Sequence, residues 1–237
     1  MRLSLISLVV LCFVVTAFAQ QEYVGKYDAY TGFTYATVPS LNLIQRGFHT
    51  QGGRNVNRWL SMGLDYSLFT GHASLTPSHL STKEQNQIGA FAASQNIPPS
   101  VVAGLQLPYD ATTNTVAGGP QIAIRHFKRV TFLLHPGLGL VHQTASAKPA
   151  GALQEGVVSF LQSTGQLNSS AKKSDTTYFL GVGGGFELNA SKHVHLRFTT
   201  DYIRAPLFDG FLKETVSVLR FSVGPTFNFG KNVVAAK

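Results

Sequence analysis

The chain has 237 residues, of which only 13% are charged, with 23 glycines, 11% aromatics and a formal net charge of +8. That length suits one domain, and the single cysteine, Cys12, sits in the first apolar run, so no disulfide can brace the rest of the chain. Sparse charge with abundant glycine and aromatics suits a closely packed sheet. The positive balance speaks for anionic lipid or for plain solubility rather than nucleic acid, because the chain opens on an export signal.

Residues 1–19 read as a secretory signal peptide. Arg2 supplies the charge, Leu3 to Val15 the apolar run, and Ala17-Phe18-Ala19 the small-x-small cleavage site, leaving 20–237 as the mature domain. The run is too short for a comfortable membrane helix, and Leu11 precedes Cys12 where lipidation wants a small residue. After Ala19 no apolar stretch has the length of a spanning helix, so a membrane location requires strands.

About eight strands follow. The first runs from about Lys26 to Thr37 with Tyr27, Ala29, Phe33 and Tyr35 on one face, and the second, Arg46 to Asn55, has its alternation diluted by His49, Gln51 and two glycines. A tight turn at Val56-Asn57-Arg58 leads into the third, Trp59 to Thr70, where Leu60, Met62, Leu64, Tyr66 and Leu68 face one way. The fourth covers Ala117 to Phe127 and turns at Lys128-Arg129 into the fifth, Val130 to Gln143. The sixth spans Thr176 to Leu188, the seventh His193 to Ile203, and the eighth begins near Thr215. From Leu219 to Phe229 every odd position is apolar and every even one polar, charged or glycine, which gives that strand one greasy face.

Long connections join strands one to two, three to four, five to six and seven to eight; short turns join the others. Short turns on one side and long loops on the other describe a closed, antiparallel, all-β transmembrane barrel with short periplasmic turns and long extracellular loops. Its strands are longer than the five or so residues of ordinary sheets. The long loops fall at about 71–114 and 144–175. The first contains a capping box, Ser81-Thr82-Lys83-Glu84, before a short helix over Ile88 to Gln95 that Pro98-Pro99 ends. The second is small, polar and read as mobile, and Lys231 to Lys237 as a polar tail. Pro136 and Pro225 each remove a ladder hydrogen bond, so bulges are expected there.

Parity puts the strand charges Asp65, Arg125, Glu187, Arg197, Asp201 and Arg220 opposite the leucines and phenylalanines, hence inside. An arginine facing lipid at mid-membrane would cost about 2–4 kcal/mol. Inside, unlike charges must pair. The expected pairs are Asp201 with Arg220, Glu187 with Arg197, and Asp65 with Arg125. Tyr27, Trp59, Tyr202 and Phe229 mark the membrane interfaces. Catalysis is not expected: no histidine stands with a nucleophile and an orienting acid on one face of adjacent strands. Gly183-Gly184-Gly185 lacks the helix and Lys-Ser/Thr of a phosphate loop and marks close packing of a wall instead.

Several stretches resemble the OmpA-type eight-stranded outer-membrane barrels, especially the acidobacterial barrel domains. These are Asn57-Arg58-Trp59-Leu60 into Leu64-Asp65-Tyr66, Leu180 to Glu187 followed by His193 to Arg197, and Leu219 to Gly224 with Phe229-Gly230. The resemblance implies an integral protein of the outer membrane that touches lipid and lipopolysaccharide and is inserted by the barrel assembly machinery. That machinery reads a terminal aromatic strand, and here seven residues follow Gly230. The expectation is a monomeric barrel with a plugged, ion-paired interior that acts as a structural or surface-interaction protein, without cofactor, metal or nucleic-acid partner. A narrow channel for small solutes is the first alternative. A soluble periplasmic barrel, turned inside out with its leucines around a ligand, is the second.

Overall fold

Eight strands hydrogen-bond in chain order and the eighth returns to the first, closing an antiparallel barrel. The structure is a computed structural model that describes residues 23–234; the predicted leader and residues 235–237 lie outside the described residues. The strands are β1 (Gly25–Val38), β2 (Leu43–Asn55), β3 (Leu60–Leu75), β4 (Leu107–Ile124), β5 (Val130–Ala147), β6 (Lys172–Asn189), β7 (Val194–Ala205) and β8 (Val216–Asn232). Three helices lie in the long connections: α1 (Thr82–Ser94) and α2 (Pro99–Ala103) between β3 and β4, and α3 (Ala152–Ser163) between β5 and β6. No helix among the described residues is long and apolar enough to cross a membrane.

The strands alternate as period two requires. Asp28, Tyr30, Thr34 and Ala36 of β1 point inward and are buried, while Tyr27 and Phe33 point outward. In β3 the outward Leu64 is 70% exposed and the inward Ser67 fully buried. Outward leucines, phenylalanines and valines continue around all eight strands, from Phe48 through Ile122, Leu138, Leu180 and Leu196 to Phe227. An inside-out barrel would have put these side chains around the cavity; the structure puts them on the outer wall. Among the described residues, the charges on that wall are Arg46, Arg54, Asp110, Lys172, Arg204 and Lys231, each toward a strand end.

Four strands extend beyond the sequence reading. β3 runs on to Leu75, β4 begins at Leu107, β5 ends at Ala147 and β6 begins at Lys172, making one tall side of the barrel. On these extensions and the residues just before them the polarity reverses. Asp110, Thr112, His142 and Thr144 face outward, while Tyr109, Ala111 and Val141 face an apolar cluster within the mouth. That cluster also takes Leu80, Ile88, Leu161, Leu207 and Phe211 from the connections. The loop after β5 therefore folds, against the expectation of mobility: Val157, Val158 and Leu161 of α3 are buried. Phe160 stacks on Phe91 of α1 with ring centroids 4.6 Å apart. The barrel is thus lined by polar groups toward its short-turn end and by apolar ones toward its long-loop end.

Two connections differ from expectation. β1 and β2 are joined by one turn of 3-10 helix over Pro39–Leu41, closed by Asn42 in the left-handed region (φ 48°), rather than by a long loop. The predicted tail is partly strand, since β8 continues to Asn232. Other features follow their local chemistry. Ser81 caps α1 by accepting from the Glu84 amide at 3.4 Å. Asn57 Oδ1 closes the β2–β3 turn by accepting from the amides of Trp59 (2.9 Å) and Leu60 (2.8 Å).

The prolines are accommodated without bulges. Residue pairing between β1 and β8 lapses at Gly224-Pro225, and pairing between β4 and β5 lapses between Gly118↔Leu138 and Ile122↔Leu134; the register is unchanged across both gaps. The one shift in the β1–β8 register falls between Gly25 and Tyr27.

Candidate functional site

The polar half of the interior holds two clusters of buried charge, built on residues that the register makes neighbours. Glu187 lies opposite Arg197 across β6 and β7, and Asp201 opposite Arg220 across β7 and β8. Directly opposite residues on one face of an antiparallel pair bring their side chains together.

In the cluster nearer the short turns, the Arg197 guanidinium donates to Glu187 Oε1 from Nε at 2.7 Å, and its Nη2 lies 2.6 Å from the same oxygen. Its Nη1 donates to Gln51 Oε1, Nη2 lies 3.8 Å from Asp28 Oδ1, and the group sits 5.3 Å over the Tyr30 ring. Asp28 also accepts from Asn55 Nδ2 at 3.3 Å, and Asn55 Oδ1 accepts from Arg125 at 3.1 Å. Arg125 completes its bonds on the Arg58 carbonyl. The cluster is therefore a chain from Glu187 through Arg197, Asp28 and Asn55 to Arg125, spanning the barrel from β6 to the start of the β4–β5 turn.

The second cluster lies at mid-height. Arg220 donates from Nε to Asp201 Oδ2 at 2.9 Å, and from Nη1 and Nη2 to the two oxygens of Asp65, both at 3.2 Å. The Asp65 contact is bidentate and crosses the barrel, the geometry that suits a planar guanidinium. Ser67 accepts a further Arg220 bond. Each carboxylate has a histidine on its other side: His49 on Asp65, and His135 on Asp201 at 2.7 Å. His49 continues to Ser222 at 3.3 Å, and Ser222 to Thr34 at 2.9 Å.

All six charges singled out in the sequence are buried. The third expected pair differs: Asp65 is held by Arg220 and His49, not by Arg125. Asp65 faces Ala117 on β4, and Arg125 follows that residue by eight positions, roughly 26 Å at strand rise. Missing from the charge network read in the sequence were Asp28, His49 and His135. Asp28 sits between Tyr27 and Ala29, so its parity carried the signal. The two histidine–carboxylate contacts depend on how the walls of a closed barrel face one another.

Of the four aromatics expected at the membrane interfaces, Tyr27 and Phe229 pair with centroids 5.8 Å apart near the short-turn end, and Trp59 lies in the β2–β3 turn. Tyr202 lies toward the long-loop end of β7, its hydroxyl 3.0 Å from Ser217. All four are exposed on the outer wall. Among the described residues no group of histidine, cysteine and carboxylate side chains is arranged to hold a metal ion.

No protein-family model matches the chain, and no curated protein sequence matches it. Solved structures do. The outer membrane protein OprG of Pseudomonas aeruginosa aligns over 90% of this chain and 99% of its own, at 13% identity and a TM-score of 0.50. Ail of Yersinia pestis, crystallised with the heparin analogue sucrose octasulfate, aligns over 87% and 99%, at 16% identity and a TM-score of 0.46. Neisserial surface protein A aligns over 86% and 96%, at 15% identity and a TM-score of 0.46. The fold is that of the small outer-membrane barrels.

Proposed function

We propose that this chain is an integral outer-membrane barrel that anchors a folded surface cap, serving as a structural or surface-interaction protein without catalysis. The observation that carries the reading is the largely apolar outer wall, carried by every strand, around a charged, hydrogen-bonded interior. A soluble protein rarely exposes an apolar patch beyond a few hundred Å², whereas hydrocarbon requires one. The positions of the outward charges agree. Arg46 and Arg54 on β2 bracket Phe48, Thr50 and Gly52, and eight residues of tilted strand rise by about 20 Å along the barrel axis. That span is close to the apolar band of known outer-membrane barrels.

The short turns then lie in the periplasm, and the helices α1 and α3 outside the cell. The interior reads as plugged rather than open. Cavities at the Arg220 cluster and beneath α3 measure about 40 and 50 Å³, room for a few waters and no more. Outer-leaflet lipopolysaccharide, the barrel assembly machinery during insertion, and a monomeric state complete the proposal. Single-channel recording in planar bilayers tests it. A plugged barrel gives no resolved steps at neutral pH in molar salt, and a steady unitary conductance would favour a solute channel instead.

A further inference from the structure

The exposed charge of the barrel is segregated by end. At the short-turn end Lys26, Arg54, Lys128, Arg129, Lys192 and Lys231 ring the rim, all exposed except the half-buried Lys26. The carboxylates of that half, Asp28 and Glu187, are buried and lie against Arg197, so among the described residues this rim exposes no acidic side chain. None of the six cations makes an ion pair among the described residues. The long-loop end is mixed. Asp110, Glu155, Asp209 and Glu214 are exposed there beside Lys83, Lys148 and Lys213, and Lys148 lies 3.6 Å from Asp110.

The register gathers three of these cations around an aromatic pair on the outer wall. Arg54 stands opposite Tyr27 across β1 and β2, Tyr27 opposite Phe229 across β1 and β8, and Lys231 follows Phe229 on the same face. Neighbouring strands lie about 4.8 Å apart and residues two apart on one strand about 6.8 Å, which sets the Arg54 and Lys231 backbones roughly 12 Å from each other. Lys26 precedes Tyr27 and places its Nζ 5.6 Å from the centre of that ring. Side chains of this length can converge on one anionic group, and the Tyr27–Phe229 pair offers an apolar flank beside it. The other three cations belong to two turns that Asn189 ties together: its side chain donates to the Lys128 carbonyl at 3.0 Å, and its amide to the Arg129 carbonyl at 2.8 Å. Lys192 lies in the turn that Asn189 opens.

We propose that this rim binds the anionic head groups of phospholipid in the inner leaflet of the outer membrane, with its strongest site at Lys26, Arg54 and Lys231. The length of the connections selects lipid over a cell-wall polymer. The turns at 56–59, 125–129 and 190–193 span four, five and four residues, so their cations stay close to the strand ends and to the aromatics Tyr27, Trp59 and Phe229. Cations held at that level meet phosphate head groups before anything deeper in the periplasm. Each lysine or arginine near an anionic surface strengthens the attraction about fivefold, and the effect fades within a Debye length. The inference rests on the membrane reading of the barrel, which sets the short turns on the periplasmic side.

The test uses the full mature chain in mixed vesicles of phosphatidylcholine and phosphatidylglycerol, with insertion verified first by heat-modifiable gel mobility. Trp59, exposed in the turn that follows Arg54, reports on the rim. Its fluorescence is quenched by a nitroxide near the glycerol end of one lipid chain, carried by either lipid in the same mixture, and the ratio gives their relative affinity. The rim predicts that phosphatidylglycerol is preferred at least about fivefold in about 0.1 M salt, and that the preference falls toward one in about 1 M salt. Arg54→Gln with Lys231→Gln should remove most of it. Lys83→Gln with Lys213→Gln, an equal loss of charge at the other end, should leave it unchanged. An inserted barrel that quenches equally with both lipids overturns the proposal, and so does a preference that survives high salt or the rim substitutions. Retention of the protein on purified peptidoglycan without any lipid preference would assign the rim to the cell-wall polymer and overturn the lipid site. A chain that does not insert overturns the proposal together with the membrane reading.

Discussion

Arg220→Met is the sharpest perturbation of the interior. Arg220 is 4% exposed and is the cation shared by Asp65 and Asp201. Removing it leaves two carboxylates in the barrel, each with only a histidine opposite. Breaking a buried pair from one side costs about 3–5 kcal/mol, chiefly because the remaining charge stays buried without its partner. The histidines hold the loss toward the lower end, about 3 kcal/mol. With a urea slope near 2 kcal/mol per molar, the unfolding midpoint should fall by roughly 1.5 M. The assay is reversible urea unfolding in lipid vesicles, read by fluorescence of Trp59, the sole tryptophan. A double-mutant cycle adds discrimination. Asp65→Asn should couple strongly to Arg220→Met, and be additive with Arg125→Met within about 0.5 kcal/mol. A midpoint that stays within about 0.3 M of wild type, or a coupling to Arg125 as large as that to Arg220, would refute the pairing described above.

Gly224→Val should prevent closure between β1 and β8, because a Cβ there would sit 2.0 Å from the Thr31 carbonyl oxygen; the heat-modifiable compact band should be lost. Ser81→Ala should loosen the cap, since this hydroxyl both accepts from the Glu84 amide and donates to the Gly210 carbonyl. A loss of about 1 kcal/mol is expected, seen as lower hydrogen-exchange protection in α1 with the barrel strands unchanged. His79, in the connection between β3 and β4, has its pKa lowered by burial, and its Nδ1 accepts from the Thr76 amide at 3.3 Å. The unfolded segment takes up a proton more readily, so His79 leaves stability intact above about pH 6.5 and withdraws it as pH falls through the lowered folded value. The protection factor of the Thr76 amide should drop between pH 7 and 5, and stay level in that range once His79→Phe removes the titrating ring.

The legibility of this barrel in its sequence depends on what each segment faces. β8 was clear because Leu219 to Phe229 keeps apolar residues outward along its whole membrane-facing length. The outer reaches of β4 and β6 were missed because the contrast inverts there. Asp110 and Thr112, or Ser174 and Thr176, face outward above the apolar wall, while Tyr109 and Ala111 face the apolar plug. A template with its greasy face always outward loses phase at that border. α1 announced itself through the Ser81–Glu84 capping box. α3 did not, because its cap residue is Gly151, which has no side chain to accept a bond.

The site divides along similar lines. Asp201 with Arg220 and Glu187 with Arg197 are register neighbours, so strand order and parity were enough to bring them together. Asp65 with Arg220 crosses the lumen between residues 155 apart in sequence, and only closure of the barrel sets that distance. That Pro120 and Pro136 stand opposite each other where pairing lapses needed the register as well.

The most direct test of the account is gel mobility of the protein taken from the outer-membrane fraction, with and without boiling. The account predicts a compact, faster band before boiling that shifts to full apparent mass afterwards. A protein recovered in the soluble periplasmic fraction, with the same mobility in both lanes, would contradict it.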